Sequence, residues 1–537
     1  MLGEVKRLNG SERQFGELSE PFSDRTAVRS TGVQNHSLQS GYLQTIFFQT
    51  LVLCFTARKG IGIKMNKFQK ITAMLLAITS VMTVSSCGQK KEDEIATLTW
   101  CLPANDLRDK DAVVEEINKI TVPEIGAKVN IQEYDFGTYT EKMRMKMASG
   151  DDTYDILFVG YLNNYHSAVD NGVLEPLSKL IDKSAPELKD AVPGYVWKDA
   201  VCEDDEVYAV PNAQIMATQY SFGIQKKLAE KYGWTKTEIS SPEELEPFLK
   251  QIKENEPSIY PYRPNYGLNM WLTNYTAIAG GVAINEDTAS DEVVFIRNTE
   301  EYQRGIDTLR DWFLKGYIRK DAASVSDDNT DFNQLRYAVY NSTWKPGQET
   351  LYPDYMYVKI GTPRIANGAS LSTMNGINRL SKNKEKAIKL ISLINTNKNL
   401  YNLMSLGIEG KHYTLDENGK YKPIDDSGYG ISGWVIGNQF NALVAYNQDD
   451  DVWEQTNELN AKSKESKLRG FDFDPDPVKS ENMAISGVSG EYTAMNNGTR
   501  DKSEYWDDMN ARLKTAGEDK VLEEVQKQVN AFLAERN

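Results

Sequence analysis

The hexapeptide Tyr161-Leu162-Asn163-Asn164-Tyr165-His166 places two phenol rings and two carboxamides directly after a continuous apolar run at residues 154–160. In an open α/β sheet, ligands sit at the carboxyl ends of the strands. Tyr161 and Asn163 are therefore candidate wall residues of a pocket for a polar solute. The same spacing suits an ordinary polar connection, and sequence alone does not separate the two. Other chemistries find less support. His36, His166 and His412 are the only histidines and lie far apart, which makes a zinc site or a histidine-based triad hard to assemble. There is no Gly-x-x-x-x-Gly-Lys-Ser/Thr sequence, so nothing here marks nucleotide hydrolysis. With 77 acidic residues a glycosidase-like carboxylate pair stays open as an alternative, although no motif fixes such a pair.

A different chemistry is marked at Cys87. Lys67 and Lys70 precede an apolar run at 71–84, which is too short for the about 20 residues that cross a bilayer. A basic start, a short apolar core and small residues at its end are the signs of a secretory signal peptide. The end, Val84-Ser85-Ser86-Cys87, resembles the bacterial lipobox. That resemblance implies a thioether-linked lipid on Cys87 and cleavage before it, with residues 87–95 as a polar leash. Residues 1–64 then stand in front of a signal peptide. They read as upstream sequence from a mis-assigned start, with Met65 as the initiator, and are expected to be disordered.

Removing the first 86 of 537 residues leaves a chain long enough for two or three domains. The 61 basic and 77 acidic residues give a formal charge of −16, which argues against nucleic acid and against electrostatic docking on anionic lipid. Cys54 lies in the leader. Cys101 and Cys202 remain, as one disulfide or as two buried thiols.

The elements that position the candidate residues follow a wound order. A strand starting at Ala96 precedes a helix from about Asp111 with Val113, Ile117 and Ile120 on one face. A strand at 128–134, a helix at 138–149 and the apolar strand at 154–160 complete a β-α-β-α-β series, which implies a parallel sheet. Ser241-Pro242-Glu243-Glu244 combines a cap, a first-turn proline and a capping box. Tyr302, Ile306, Leu309 and Phe313 line one side of a helix that begins at Thr299, with Trp312 expected in the core. Asn418-Gly419 marks a hairpin turn. Val521, Val525, Val529 and Phe532 give the last helix a face to pack on a lobe.

The apolar strand, the Asn171-Gly172-Val173-Leu174-Glu175-Pro176-Leu177 turn and Val207-Tyr208-Ala209-Val210-Pro211 together resemble family 1 of the extracellular solute-binding proteins, the maltose-binding type. The segments 433–440, 471–474 and 478–481 resemble a C-terminal domain of unknown function found on lipoprotein members. The resemblance implies an α/β, periplasmic-binding-protein-like (type II) fold with two lobes joined by crossover strands and a ligand cleft between them. Its expected parts are 96–210 for the first part of lobe one, 211–357 for lobe two, 358–460 for the return to lobe one, and 461–537 as a C-terminal segment packing on the lobes. Ligand residues implied by it are Trp271, then Asn341 and Trp344, and Asn375 on the returning strand. An aromatic at the Trp344 position stacks on a sugar ring, because a flat indole buries the sugar's C–H face while carboxamides pair with its polar edge. Trp434 and Asn438 are further pocket candidates for which core packing is an equal reading.

The function implied is a lipid-anchored receptor on the outer face of the cell membrane. It would close on a solute, foremost a sugar or oligosaccharide, and deliver it to the permease subunits of an ABC importer. A monomer without metal or cofactor is expected. A peptide or another polar solute as ligand, a surface glycosidase, and a structural adhesin are the alternatives.

Overall fold

The computed structural model describes residues 95–536, apart from 203–204, 266, 326–327 and 491–492. The expected leader, the signal peptide, Cys87 and its leash as far as residue 94 lie outside the described residues. Among the described residues no helix is long and apolar enough to cross a membrane.

Lobe one begins with β1 (Ala96–Pro103), α1 (Lys110–Ile125), β2 (Ala127–Tyr134), α2 (Phe136–Ser149), β3 (Ile156–Gly160) and, after several short helices, β4 (Ala209–Pro211). β1 pairs in parallel with both β2 and β3, as the alternating order requires. Every residue of β3 is buried, which is why it reads as an unbroken apolar run. Val113 and Ile117 turn the inner face of α1 to the sheet, and left-handed Gly126 ends it. α2 starts at Phe136, two residues earlier than expected, because the Asp135 carboxylate accepts from Gly137 N–H at 2.8 Å and caps it.

Lobe two is built from β5 (Ala217–Gln225), β6 (Glu238–Ile239), α3 (Glu246–Asn255), β7 (Tyr260–Arg263), an antiparallel trio β8 (Tyr275–Ala279), β9 (Val282–Asn285) and β10 (Val293–Phe295), α4 (Glu300–Leu314), β11 (Tyr337–Trp344), β12 (Tyr355–Ile360) and β13 (Arg364–Ile365). The Ser241/Glu244 capping box forms on the 3-10 turn that leads into α3. Thr299 caps α4, whose inner face buries Ile306, Leu309 and Trp312.

The chain then returns to lobe one with β14 (Thr373–Ile377), α5 (Lys384–Thr396), α6 (Lys398–Leu406) and the hairpin β15 (Tyr413–Leu415) and β16 (Tyr421–Pro423). It crosses again through α7 (Val452–Lys462) and β17 (Lys464–Glu465), and finishes with α8 (Lys479–Ser489), α9 (Trp506–Thr515) and α10 (Glu518–Arg536). The sheet of lobe one has the order β2-β1-β3-β14-β4, with β14 antiparallel to its neighbours. The sheet of lobe two runs β17-β13-β5-β11-β7, with β12 alongside β5 and β6.

Two large cores follow, beside a smaller aromatic cluster in lobe two. One gathers Leu98, Ile117, Phe158, Ile377, Ile391 and Val435. The other gathers Phe222, Leu249, Trp312 and Val358 together with Leu468, Ile485, Met509, Val521, Val525 and Val529 from the C-terminal segment. That segment is part of the interior of lobe two. The three valines of α10 have no exposed surface, and burying each is worth roughly 1.5–3 kcal/mol. Cys101 is buried, Cys202 is half-buried, and both are free thiols, so the disulfide reading falls.

Candidate functional site

At the carboxyl end of the sheet in lobe one, Phe136 follows β2 after one intervening residue and Tyr161 follows β3 directly. The indole of Trp434, from the returning chain, packs among them. Its ring centroid is 5.7 Å from Phe136, 6.0 Å from Phe158 and 6.0 Å from Tyr161. Phe136 and Trp434 are half-buried, and Tyr161 remains 43 % exposed. The result is a continuous aromatic platform with accessible rings. Burial pushes the Tyr161 hydroxyl above its ordinary pKa. Asn163 donates from Nδ2 to Phe158 O at 3.2 Å, while its Oδ1 is buried and accepts nothing from the described residues. A buried acceptor without a donor is costly unless something fills it.

Backbone geometry holds this platform in place. Gly160 lies so close to the second crossover that a Cβ there would sit 2.1 Å from Ser372 O, and Tyr161 N–H donates to the same carbonyl at 3.0 Å. Behind Trp434 runs a buried carboxamide chain. Trp100 Nε1 donates to Asn375 Oδ1 at 3.1 Å, and Asn375 Nδ2 donates to Asn212 Oδ1 and to Val435 O. Asn212 Nδ2 in turn donates to Trp434 O at 2.8 Å and Val435 O at 3.0 Å.

The matching end of lobe two carries Trp344, the last residue of β11, paired across to Gln219 near the start of β5. Trp344 is half-buried against an aromatic cluster of Phe332, Tyr337, Tyr340, Tyr355 and Tyr357. Its Nε1 donates to Glu349 Oε1 at 3.2 Å, and the Lys359 ammonium lies 3.7 Å above the ring centroid. The chain first crosses between the lobes from β4 to β5 and returns from β13 to β14. Asn460 of α7 is 2 % exposed and accepts from Met216 N–H and Ala217 N–H in the first crossover, at 2.8 and 3.0 Å.

Tyr161, Asn163 and Trp434 thus come together on lobe one, and Trp344 stands at the corresponding edge of lobe two. The other expected residues are turned inward. Trp271 is 3 % exposed, packed on Trp312 and bonded through Nε1 to Glu243 at 2.8 Å, because its 3-10 turn aims it into the core. Asn341 has no exposed surface: Tyr262 OH donates to its Oδ1 at 2.6 Å and Asn265 brackets its main chain. Asn375 belongs to the buried chain that fixes Trp434. Asn438 caps a short turn and donates to Ala191 O at 3.0 Å. These four are framework residues.

Sequence reasoning missed Phe136 and Lys359. Phe136 carried a signal, since it lies just beyond the carboxyl end of β2, as Tyr161 does beyond that of β3. Lys359 carried none. Among the described residues no group of His, Cys, Asp and Glu is arranged to hold a metal. A surface depression of about 440 Å³ on the flank of lobe one, lined by Glu116, Leu403 and Leu415 among others, shares no residue with the aromatic platform.

Residues 110–401 match the family described as bacterial extracellular solute-binding protein, and residues 467–534 match a domain of unknown function. A carbohydrate ABC transporter substrate-binding protein of Streptococcus pneumoniae serotype 4 is 32 % identical over 446 residues, covering 79 % of this chain and 88 % of that protein. Among solved structures, the N-glycan transport solute binding protein NgtS of Streptococcus pneumoniae is 29 % identical, with a TM-score of 0.75 over 82 % of this chain and all of that one. Over the same share of this chain, the TM-score is 0.66 for NgtS in complex with Man1GlcNAc and 0.63 for its complex with Man5GlcNAc.

Proposed function

The chain belongs to the bacterial extracellular solute-binding proteins, and from that premise we propose that it captures an oligosaccharide between its lobes and passes it to the permease of an ABC importer. Membership makes it a binding protein and not an enzyme, so the glycosidase alternative is set aside. The observation that carries the carbohydrate reading is the platform of Phe136, Tyr161 and Trp434 seated on buried Phe158, with Asn163 Oδ1, which has no donor among the described residues, beside it. The accessible ring faces take the C–H face of a sugar, and the carboxamide oxygen takes a hydroxyl. Trp344 is the opposing wall, engaged only when the lobes close. Closure is then a population shift in proportion to the ligand's preference for the closed form.

A lipid on Cys87 and docking on permease subunits complete the proposal. The first is supported by the lipobox-like Val84-Ser85-Ser86-Cys87 and the second by family membership. The test is calorimetry of the purified protein against an oligosaccharide panel, with melting measured alongside. A bound saccharide at a hundredfold excess over its Kd adds about 2.7 kcal/mol of stability without turnover. Binding of a peptide or other polar solute, with every saccharide inert, would overturn the carbohydrate assignment.

A further inference from the structure

Residues 467–534 have no assigned role beyond filling lobe two, yet their first turn reaches across to lobe one. The approach runs beside the second crossover: Lys464 N–H donates to Pro363 O at 3.1 Å and Ser466 N–H to Ile365 O at 2.9 Å. Gly470 N–H then donates to Asn367 Oδ1 at 3.0 Å, and Asn367 Nδ2 donates to Phe471 O at 2.7 Å. At the centre is an ion pair with no exposed side-chain surface on either partner. Arg469 Nε donates to Asp199 Oδ1 at 2.7 Å and Nη2 to Tyr195 O at 2.9 Å, while Nη1 is buried without a partner among the described residues. Asp199 belongs to lobe one, next to core residue Ala200. Its Oδ1 also accepts from Gly470 N–H at 3.2 Å, and its Oδ2 accepts from Ser370 N–H in the crossover at 3.1 Å. One carboxylate therefore gathers lobe one, a crossover and the C-terminal domain. The far end of that domain closes on the same turn, since Arg536 Nη1 donates to Lys467 O and Arg469 O, both at 3.2 Å.

We propose that Arg469 and Asp199 are positioning residues for ligand capture: their buried pair is the point about which the lobes turn, and the C-terminal domain holds lobe two rigid on it. Separating the partners would strand two buried charges, so the pair stays closed through any lobe motion. Rotation about it leaves the contact intact. Contacts near the 347–351 turn are of a different kind. Thr350 Oγ1 donates to Asn447 O at 3.3 Å, an exposed contact. Such contacts break and re-form at little cost. The functional consequence rests on ligand capture between the lobes, but the pivot itself is tested without ligand, so the two readings fail separately.

The test places spin labels at Lys142→Cys and Lys250→Cys, on the exposed faces of α2 and α3, in the full chain with Cys54, Cys87 and Cys202 changed to Ser. Cys101 is left in place, because burial pushes its thiol up to about 12 and keeps it unreactive. The readout is the width of the interlobe distance distribution in ligand-free protein. Arg469→Met/Asp199→Asn removes both charges and should at least double that width. Arg469→Lys keeps a cation for Asp199 and should retain the wild-type width. Val525→Ala weakens the core of lobe two away from the crossovers and should lower the melting temperature with the width unchanged. Asp199→Asn alone, which keeps the side chain's shape but removes the charge that holds Arg469, should widen the distribution by about a third; its failure to do so overturns the proposal should the double variant not fold. A folded double variant of wild-type width, or widths that track melting temperature across the set, also overturns it.

Discussion

Replacing Trp434 by Ala separates the binding role of the platform from its structural role. The indole touches Phe136, Phe158 and Tyr161 but is only half-buried, so its loss should cost the unliganded protein about 2 kcal/mol, below the 3–5 of a fully buried aromatic. A sugar stacked on the free part of the ring removes about 60 Å² of apolar surface from water, or about 1.5 kcal/mol. Ring–face geometry adds a further amount of about 1 kcal/mol. The sum corresponds to a Kd weakened by roughly 30- to 150-fold. The loss should stay local, because Asn375 and Asn212 hold the backbone at Val435 whichever side chain stands at 434. Calorimetry with the best saccharide of the panel measures the first quantity, and thermal melting of the free protein the second. Trp434→Phe should recover part of the affinity. A variant that melts lower yet binds its saccharide with wild-type affinity would refute the reasoning and return Trp434 to core packing.

Trp271→Phe should show the opposite pattern, with lower melting from the lost Glu243 bond and unchanged Kd, since the ring lies inside lobe two. Truncation after residue 466 should abolish cooperative melting of lobe two and expose it to protease, because Val521, Val525 and Val529 leave its core. Iodoacetamide at pH 8 should label Cys202 and spare Cys101, as read by intact mass, and non-reducing gels should show no disulfide between them. Asp151 bonds Lys146, which holds its carboxyl down at about 2, below the ordinary 3.8. A depressed acid contributes stability above its unfolded pKa and loses it as pH falls through the folded one. Asp151→Asn should therefore melt lower than wild type at pH 7 by a surface-pair amount, within about 1 kcal/mol, with the difference vanishing between pH 4 and pH 2.

The wound order of lobe one, the capping box at Ser241, the Asn418-Gly419 hairpin and the core face of α10 were legible because each is local. Period, cap and turn chemistry act over a few residues, and a strand covered on both faces must be apolar throughout. Tyr161 was legible as the residue after such a strand. The expectation for Trp271, Asn341, Asn375 and Asn438 rested on element order, which says where a residue lies in the chain and not which way its side chain turns.

What the chain determines alone is its elements and their order, because hydrophobic period and turn residues are properties of short windows; the two lobes were implied by the family resemblance. Which rings form a platform is decided by tertiary structure. Trp434 meets Tyr161 across more than 270 residues, and Arg469 finds Asp199 across 270, through packing that no local pattern encodes. The same holds for the C-terminal segment: its apolar face announced that it must be covered, and only the assembled fold could supply the surface of lobe two that covers it.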